Sequence, residues 1–292
     1  MIKTLNPFSS KSPGAKRILI HNYTQVFEQL VLIFAVLLVI IPVYFMIITS
    51  LKTQLDYDVN KVGLPAQVYL GNITTALRSG RFFLWFTNSV ILSAGSVLLS
   101  TVVSVLAAYA FARMRFRISR AYLSLITALM IIPPVVMIIP IFILLSRLKL
   151  TSNYLGALII YAGLITPFTV YMLTNFFKSV PTEIIESALI DGASTLGILI
   201  RIMLPLSGPA LVTAIIVNGL WVWNDLLVAL VLLPKDELRT LMVGITIFGS
   251  RYNRDIPVAI TGMLLASLPM FFLYLFGQRY FIRGMLAGAL KG

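Results

Sequence analysis

From Val31 to Ser50 the chain reads VLIFAVLLVIIPVYFMIITS, about twenty residues without a charge and long enough to cross the hydrocarbon layer of a bilayer as a helix. Five more apolar runs follow, at about Trp85–Arg113, Tyr122–Leu145, Asn153–Phe177, Pro209–Leu233 and Pro257–Gly277. Lipid offers no water to backbone N–H and C=O groups, so a spanning segment must satisfy them internally. The expected fold is therefore all-α, a polytopic membrane protein with six transmembrane helices. A cleaved signal peptide competes for the first run. That run is too long for the apolar region of a signal, and no small-x-small cleavage site follows it.

Composition agrees. Charged residues make up 11% of the 292 positions, whereas soluble domains carry roughly a quarter. The formal charge of +13 sits largely in short loops and tails, as membrane topology requires, and this argues against a nucleic-acid partner. There is no Cys and the only His is His21, which excludes disulfides, thiol chemistry and a Cys/His metal site. No GxxxxGK[ST] phosphate loop occurs, and the spans hold no acid, base and nucleophile set. The chain is read as a non-enzyme with no catalytic residues and no cofactor.

The organisation follows from these runs. Residues 1–27, with Lys3, Lys11, Lys16 and Arg17, form a basic cytoplasmic tail. Residues 28–50 are the first transmembrane helix, and 51–83 an external loop. Residues 84–279 are a core of five further helices that includes an insert at 178–208, and 280–292 are a cytoplasmic tail. Arg113, Arg115, Arg117 and Arg120 crowd one short loop, the clearest positive-inside signal. The bias over all loops is weak, because loop 234–256, placed outside, carries Lys235, Arg239, Arg251 and Arg254. In the second run Ser89, Ser93, Ser96, Ser100, Ser104 and Ala108 recur every three or four residues. Such a stripe lets another helix approach closely, and packing is favoured over the lining of a polar pathway. Pro133, Pro134, Pro140, Pro167 and Pro269 predict kinks.

The insert, Pro181 to Pro209, reads PTEIIESALIDGASTLGILIRIMLPLSGP and holds Glu183, Glu186 and Asp191, three of the ten acidic residues. Pro181 suits the first turn of a helix, and Glu183 suits its positive end. Ile184, Ile185, Ala188 and Leu189 predict one apolar face, away from Glu183, Glu186 and Ser187. Gly192 offers the left-handed position that ends the helix, and Ser194 can cap a second one that stops before Pro205. Asp191 sits badly at a helix C-terminus, by up to about 1 kcal/mol. It is intelligible if it turns to the second helix or to a cation on a partner. On these grounds alone, an interfacial helix pair with solvated acids explains the stretch equally well.

The spacing Glu186-Ser187-Ala188, Asp191-Gly192, then Ile202-Met203-Leu204-Pro205 resembles the "EAA" loop of ABC importer permeases, with Ser187 in place of the middle Ala. Trp221-Val222-Trp223-Asn224-Asp225 resembles the W-N-(E/D) signature of carbohydrate permeases of the maltose-transporter type, with Asp225 where Glu is frequent. The terminus, Gln278-Arg279-Tyr280-Phe281-Ile282-Arg283-Gly284 and Gly288-Ala289-Leu290-Lys291-Gly292, resembles the same family. So do Phe111-Ala112-Arg113 and Asn88-Ser89. The similarity covers about residue 80 to the end.

This resemblance implies a permease subunit of a binding-protein-dependent importer for a sugar or oligosaccharide, in a bacterial or archaeal cytoplasmic membrane with both termini cytoplasmic. Its implied partners are a second homologous permease, two copies of an ABC ATPase, an extracytoplasmic solute-binding protein and membrane lipid. Glu186, Ser187, Ala188, Asp191, Gly192, Ile202, Leu204 and Pro205 would form a cytoplasmic helix–Gly–helix coupling loop seated in the ATPase. Arg283, Gly284, Gly288, Lys291 and Gly292 would form a tail packed on a partner.

Asn218, Trp221 and Asp225 fall on one helix face, and with Asn224 they are candidates for the translocation path. Bonding of Asn224 and Asp225 to neighbouring helices is favoured over sugar contact. Two alternatives remain open. One is an ABC permease for another solute such as glycerol phosphate. The other is an ATPase-independent secondary transporter or channel, which should carry ionisable residues near several helix centres.

Overall fold

The computed structural model describes residues 13–78, 81–114, 116–251 and 255–289, with side chains over 25–78, 81–114, 116–247 and 255–279. All regular structure among these residues is helical. The first helix, α1, runs Pro13–Ser50 and so begins inside the segment read as a tail. The expected loop 51–83 contains two short helices, α2 (Gln54–Val59) and α3 (Gly71–Arg78). The buried Lys52 holds the exit from α1. Its Nζ donates to the Asn60 carbonyl, while Asn72 Nδ2 donates to the carbonyls of Ser50 and Lys52.

Two long helices form the centre, α4 (Phe82–Arg113) and α7 (Tyr154–Ser179), packed along each other. The serine stripe makes this approach possible. Ser96, Ser100, Ser104 and Ala108 are fully buried. Ser96 Oγ donates to the Leu158 carbonyl at 3.3 Å, and Ser100 Oγ pairs with Thr166 Oγ1 at 3.0 Å. Small side chains bring the two backbones together, and their hydroxyls bond across the seam.

The third run is not one helix. It is split into α5 (Ser119–Leu129) and α6 (Pro134–Arg147), bent by 101°. Pro133 is extended (φ −62, ψ 134) because Pro134 follows it, and two consecutive prolines supply no amide donors. Pro140, Pro167 and Pro269 lie inside continuous helices. The insert contains α8 (Thr182–Ile190), α9 (Thr195–Ile198), a π-helical turn over Leu199–Met203 and α10 (Leu204–Leu206). The second insert helix thus runs on through Pro205, where a stop was expected. The π turn precedes that proline, and Leu204 N–H reaches back to the Leu199 carbonyl. After a bend of 76° the chain enters α11 (Gly208–Asn224).

The fifth run, expected to continue to Leu233, stops at Asn224 and restarts as α12 (Leu227–Leu232). Loop 234–256 hides another helix, α13 (Leu241–Arg251), whose Leu241, Val243 and Ile245 are buried. The last helix, α14, runs Ile256–Ala289 and so continues into the segment expected as a tail.

Among the described residues four helices are long and apolar enough to cross a membrane, and the two bent pairs bring the number to six if each pair is one span. The connections support six, because alternate ones meet at opposite ends. At one end Ser152 N–H donates to the Leu232 carbonyl, Ile256 N–H to Gln54 Oε1, and Arg81 pairs with Asp236 at 3.3 Å. At the other end Val105 and Tyr109 of α4, Leu173 and Phe177 of α7, and Ile185, Ile198 and Met203 of the insert share one core. Helix α1 lies against α14 and exposes most of its apolar surface, as a lipid-facing helix does.

Candidate functional site

The insert is built on a backbone device. Helix α8 ends at Asp191, Gly192 takes φ +80, Gly192 N–H donates to the Leu189 carbonyl, and Ala193 N–H to that of Ala188. This pair of bonds is a Schellman motif, and its expected apolar contact is present, since Ala188 and Ala193 lie in the same cluster. Ser194 Oγ then accepts from Gly197 N–H at 3.2 Å and caps α9. The chain passes from α8 to α9 within Asp191–Ser194 on these three bonds.

The two sides of the insert differ. Ile185, Ala188, Ile198, Leu199 and Met203 face the protein, with Ile202 and Leu204 packed at the edge of their cluster. Glu186, Ser187, Asp191, Gly192 and Pro205 are exposed, and among the described residues the Glu186 and Asp191 carboxylates make no hydrogen bond or ion pair. Ser187 Oγ folds back onto the Ile184 carbonyl. Ile184 and Leu189, expected on the inner face with Ile185 and Ala188, point outward. The outer face is rich in apolar side chains: Ile190 is 87% exposed and Leu196 58%, flanking Asp191-Gly192, with Ile200 one turn on. Sequence reasoning passed over Ile190, Leu196 and Ile200. The available signal was apolar residues on both flanks of Asp191-Gly192 that no single amphipathic face accommodates.

A partly open cleft of about 610 Å³ lies between α5, α6, α7 and α11, with Met130, Ile132 and Ile159 of its lining exposed. Its lining includes Met130, Met137, Gly163, Phe168, Asn218 and Trp221, and no charged side chain. Asn218 Nδ2 donates to Thr169 Oγ1 at 2.7 Å, and the Trp221 ring meets Tyr161 edge-on at 6.1 Å.

Asn224 and Asp225 do not line that cavity. Asn224 is exposed and donates to the Leu220 carbonyl of its own helix. Asp225 Oδ2 accepts from the Tyr161 hydroxyl at 2.5 Å and from Val228 and Ala229 N–H at 3.0 and 3.1 Å. Through Oδ2 its carboxylate holds the first turn of α12 and ties it to α7. The expected grouping of Asn218, Trp221 and Asp225 on one face fails because the helix ends between them.

Arg283, Gly284 and Gly288 fall on the last turns of α14, where side chains lie outside the described residues, as do Lys291 and Gly292 entirely. Among the described residues no cluster of three or more His, Asp or Glu could hold a metal ion.

Residues 100–286, which contain the insert, both ends of α7 and most of α14, match the family of binding-protein-dependent transport system inner membrane components. The chain belongs to that family. This permease is 41% identical to a putative ABC transporter permease protein, ORF2, of Caldicellulosiruptor sp. (strain Rt8B.4), over 86% of its own length and 92% of the relative. It is 32% identical to the melibiose/raffinose/stachyose import permease MelC of Bacillus subtilis (strain 168), over 86% and 91%. Among solved structures it superposes on a chain of a bacterial ABC transporter involved in the import of the acidic polysaccharide alginate. The TM-score is 0.77 at 25% identity, covering 94% of this chain and all of that one. The permease is a transport component and not an enzyme.

Proposed function

We propose that this permease forms part of the translocation path of a bacterial ABC importer for a neutral sugar or oligosaccharide. A second, homologous permease completes the path. Two ABC ATPase subunits supply the energy, and a solute-binding protein delivers substrate from outside. The observation that carries this reading is the insert. An exposed turn, Ile190-Asp191-Gly192, is held rigid by its backbone bonds, and its rear is packed on α4, α7 and α11. Such a surface suits a cleft in another protein and passes force directly to three spans. The insert follows the fourth crossing, so it shares a side with both termini, and we assign that side to the cytoplasm with the exposed Arg117 and Arg120.

Alternating access follows. Closure of the ATPase pair presses on Glu186, Asp191 and the flanking isoleucines, and the α4–α7 pair swings to move the opening from one face to the other. The uncharged cavity beside Trp221 and Asn218 suits an aromatic platform and amide for sugar hydroxyls. The named sugars of the Bacillus subtilis relative support a saccharide cargo. Reconstitution with the partner subunits tests the proposal. ATP-dependent uptake of neutral saccharides is expected. Uptake of a phosphorylated polyol instead would replace the cargo, and transport by this chain alone, without an ATPase, would overturn the reading.

A further inference from the structure

Of the arginines that mark one loop as basic, Arg113 behaves differently from Arg117 and Arg120. Those two are exposed, whereas Arg113 turns back into the protein. It is the last residue of α4, and its Nη2 donates to the carbonyls of both Phe177 and Val180. These belong to the end of α7 and the joint that leads into α8. The final carbonyls of a helix lack the regular intrahelical partners: the Phe177 carbonyl receives only a long bond of 3.4 Å from Val180 N–H, and Pro181, which follows, has no N–H to offer. A guanidinium placed there satisfies them and sits favourably at the negative end of the helix. Its Nε is buried without an acceptor among the described residues, and its hydrogen bonds there are the two made by Nη2.

Packing surrounds the bond. One turn back on α4, the Tyr109 ring meets Phe177 edge-on at 6.4 Å. Tyr109, Phe177, Val180, Ile185 and Ala188 lie in one buried cluster. Only Val180 and Pro181 separate α7 from α8, both in extended conformation. A push on α8 would bend the chain at that joint unless something clamps it. Arg113 is the polar clamp.

We propose that Arg113 is a positioning residue for energy coupling. It makes the insert, the end of α7 and the end of α4 one rigid body, so that force on the insert moves α4 and α7 together. The inference rests on the reading of the insert as the ATPase contact.

The test uses the assembled transporter in lipid, with Arg113→Gln, Arg113→Lys and the control Arg117→Gln. Arg113→Gln is expected to assemble and keep basal ATP hydrolysis while sugar imported per ATP falls about tenfold, within the usual range of coupling between sites. Arg113→Lys should restore part of the loss, because an ammonium still donates to carbonyls, and Arg117→Gln should match the wild type. A merely structural role would lower assembly and hydrolysis together and leave the ratio unchanged, and an unchanged ratio in Arg113→Gln overturns the proposal. If that variant does not assemble, spin labels at the exposed Met114 and Thr195 of an otherwise wild-type chain decide. A constant separation with and without ATP is expected, and a nucleotide-dependent change of separation overturns it. If Asp191→Lys and Gly192→Pro uncouple hydrolysis while Arg113→Gln does not, this inference fails and the reading of the insert stands. If they do not, the reading itself fails.

Discussion

Tyr161, fully buried in α7, gives its hydroxyl hydrogen to the carboxylate of Asp225, which sits in the gap between α11 and α12. The same oxygen accepts two backbone amides of α12. One side chain, just past the end of α11, therefore starts α12 and ties it to α7, while the Tyr161 ring supports Trp221 at the cavity wall.

Removing that carboxylate leaves three donors without their acceptor. Asp225→Ala should destabilise the permease by about 2–3 kcal/mol, and Tyr161→Phe by about 1 kcal/mol or less. Thermal unfolding of the complex in detergent measures both. Unchanged melting together with a lost uptake of sugar in Asp225→Ala would show instead that the carboxylate serves the substrate.

Gly192 tests the turn separately from the surface. A Cβ at this position meets nothing within 4 Å, yet φ is +80, so Gly192→Ala pays only in backbone strain. A loss of about 1–2 kcal/mol is expected, and less for Gly192→Asn. Gly192→Pro and Asp191→Lys should leave the subunit inserted but abolish substrate-stimulated ATP hydrolysis by the complex. Normal stimulation and uptake in both would remove the coupling role.

The serine seam should resist bulk more than it needs its hydroxyls. Ser100→Ala forfeits one bond to Thr166 and should cost about 0.6 kcal/mol, whereas Ser104→Leu forces α4 from α7 at a cost of about 3 kcal/mol or more. Folded yield after membrane extraction ranks the two. Equal yields would mean that the helices do not approach as closely as described.

Trp221 lines the cavity, and among the described residues its one side-chain bond or ring contact is that with Tyr161. Trp221→Ala should lower saccharide uptake several-fold while basal ATP hydrolysis stays intact. Kinetics of uptake over a range of sugars, with hydrolysis measured in parallel, checks this. An unaltered rate for every sugar transported would take Trp221 out of the path.

Much of the fold was legible because membrane helices are dictated by long apolar runs, and the insert because Gly192 and Ser194 have local conformational roles. The Ser stripe was legible too, since its spacing alone places it on one face. What escaped depends on tertiary partners. Asn224-Asp225 continues an apolar helical run, and only Tyr161 and the α12 amides make Asp225 a stop. Helix α13 escaped because Leu241, Val243 and Ile245 form too short a run to read as a span, although they pack against Phe82 and Trp85 or the central core. Arg113 looked like one more topology charge. Its inward turn depends on carbonyls that lie 64 and 67 residues away.

The π turn at Leu199–Met203 holds one residue more than an α-helical turn would need. Each residue of an α-helix adds about 100° of rotation. That additional residue therefore sets the angular phase between the outward face of the insert and the spans behind it. Deleting one residue there would restore an uninterrupted helix and swing Ile190 and Leu196 about a quarter of a turn off their bearing. The bulge acts as an alignment key: sequence length within these five residues, more than their chemistry, determines which way the surface faces.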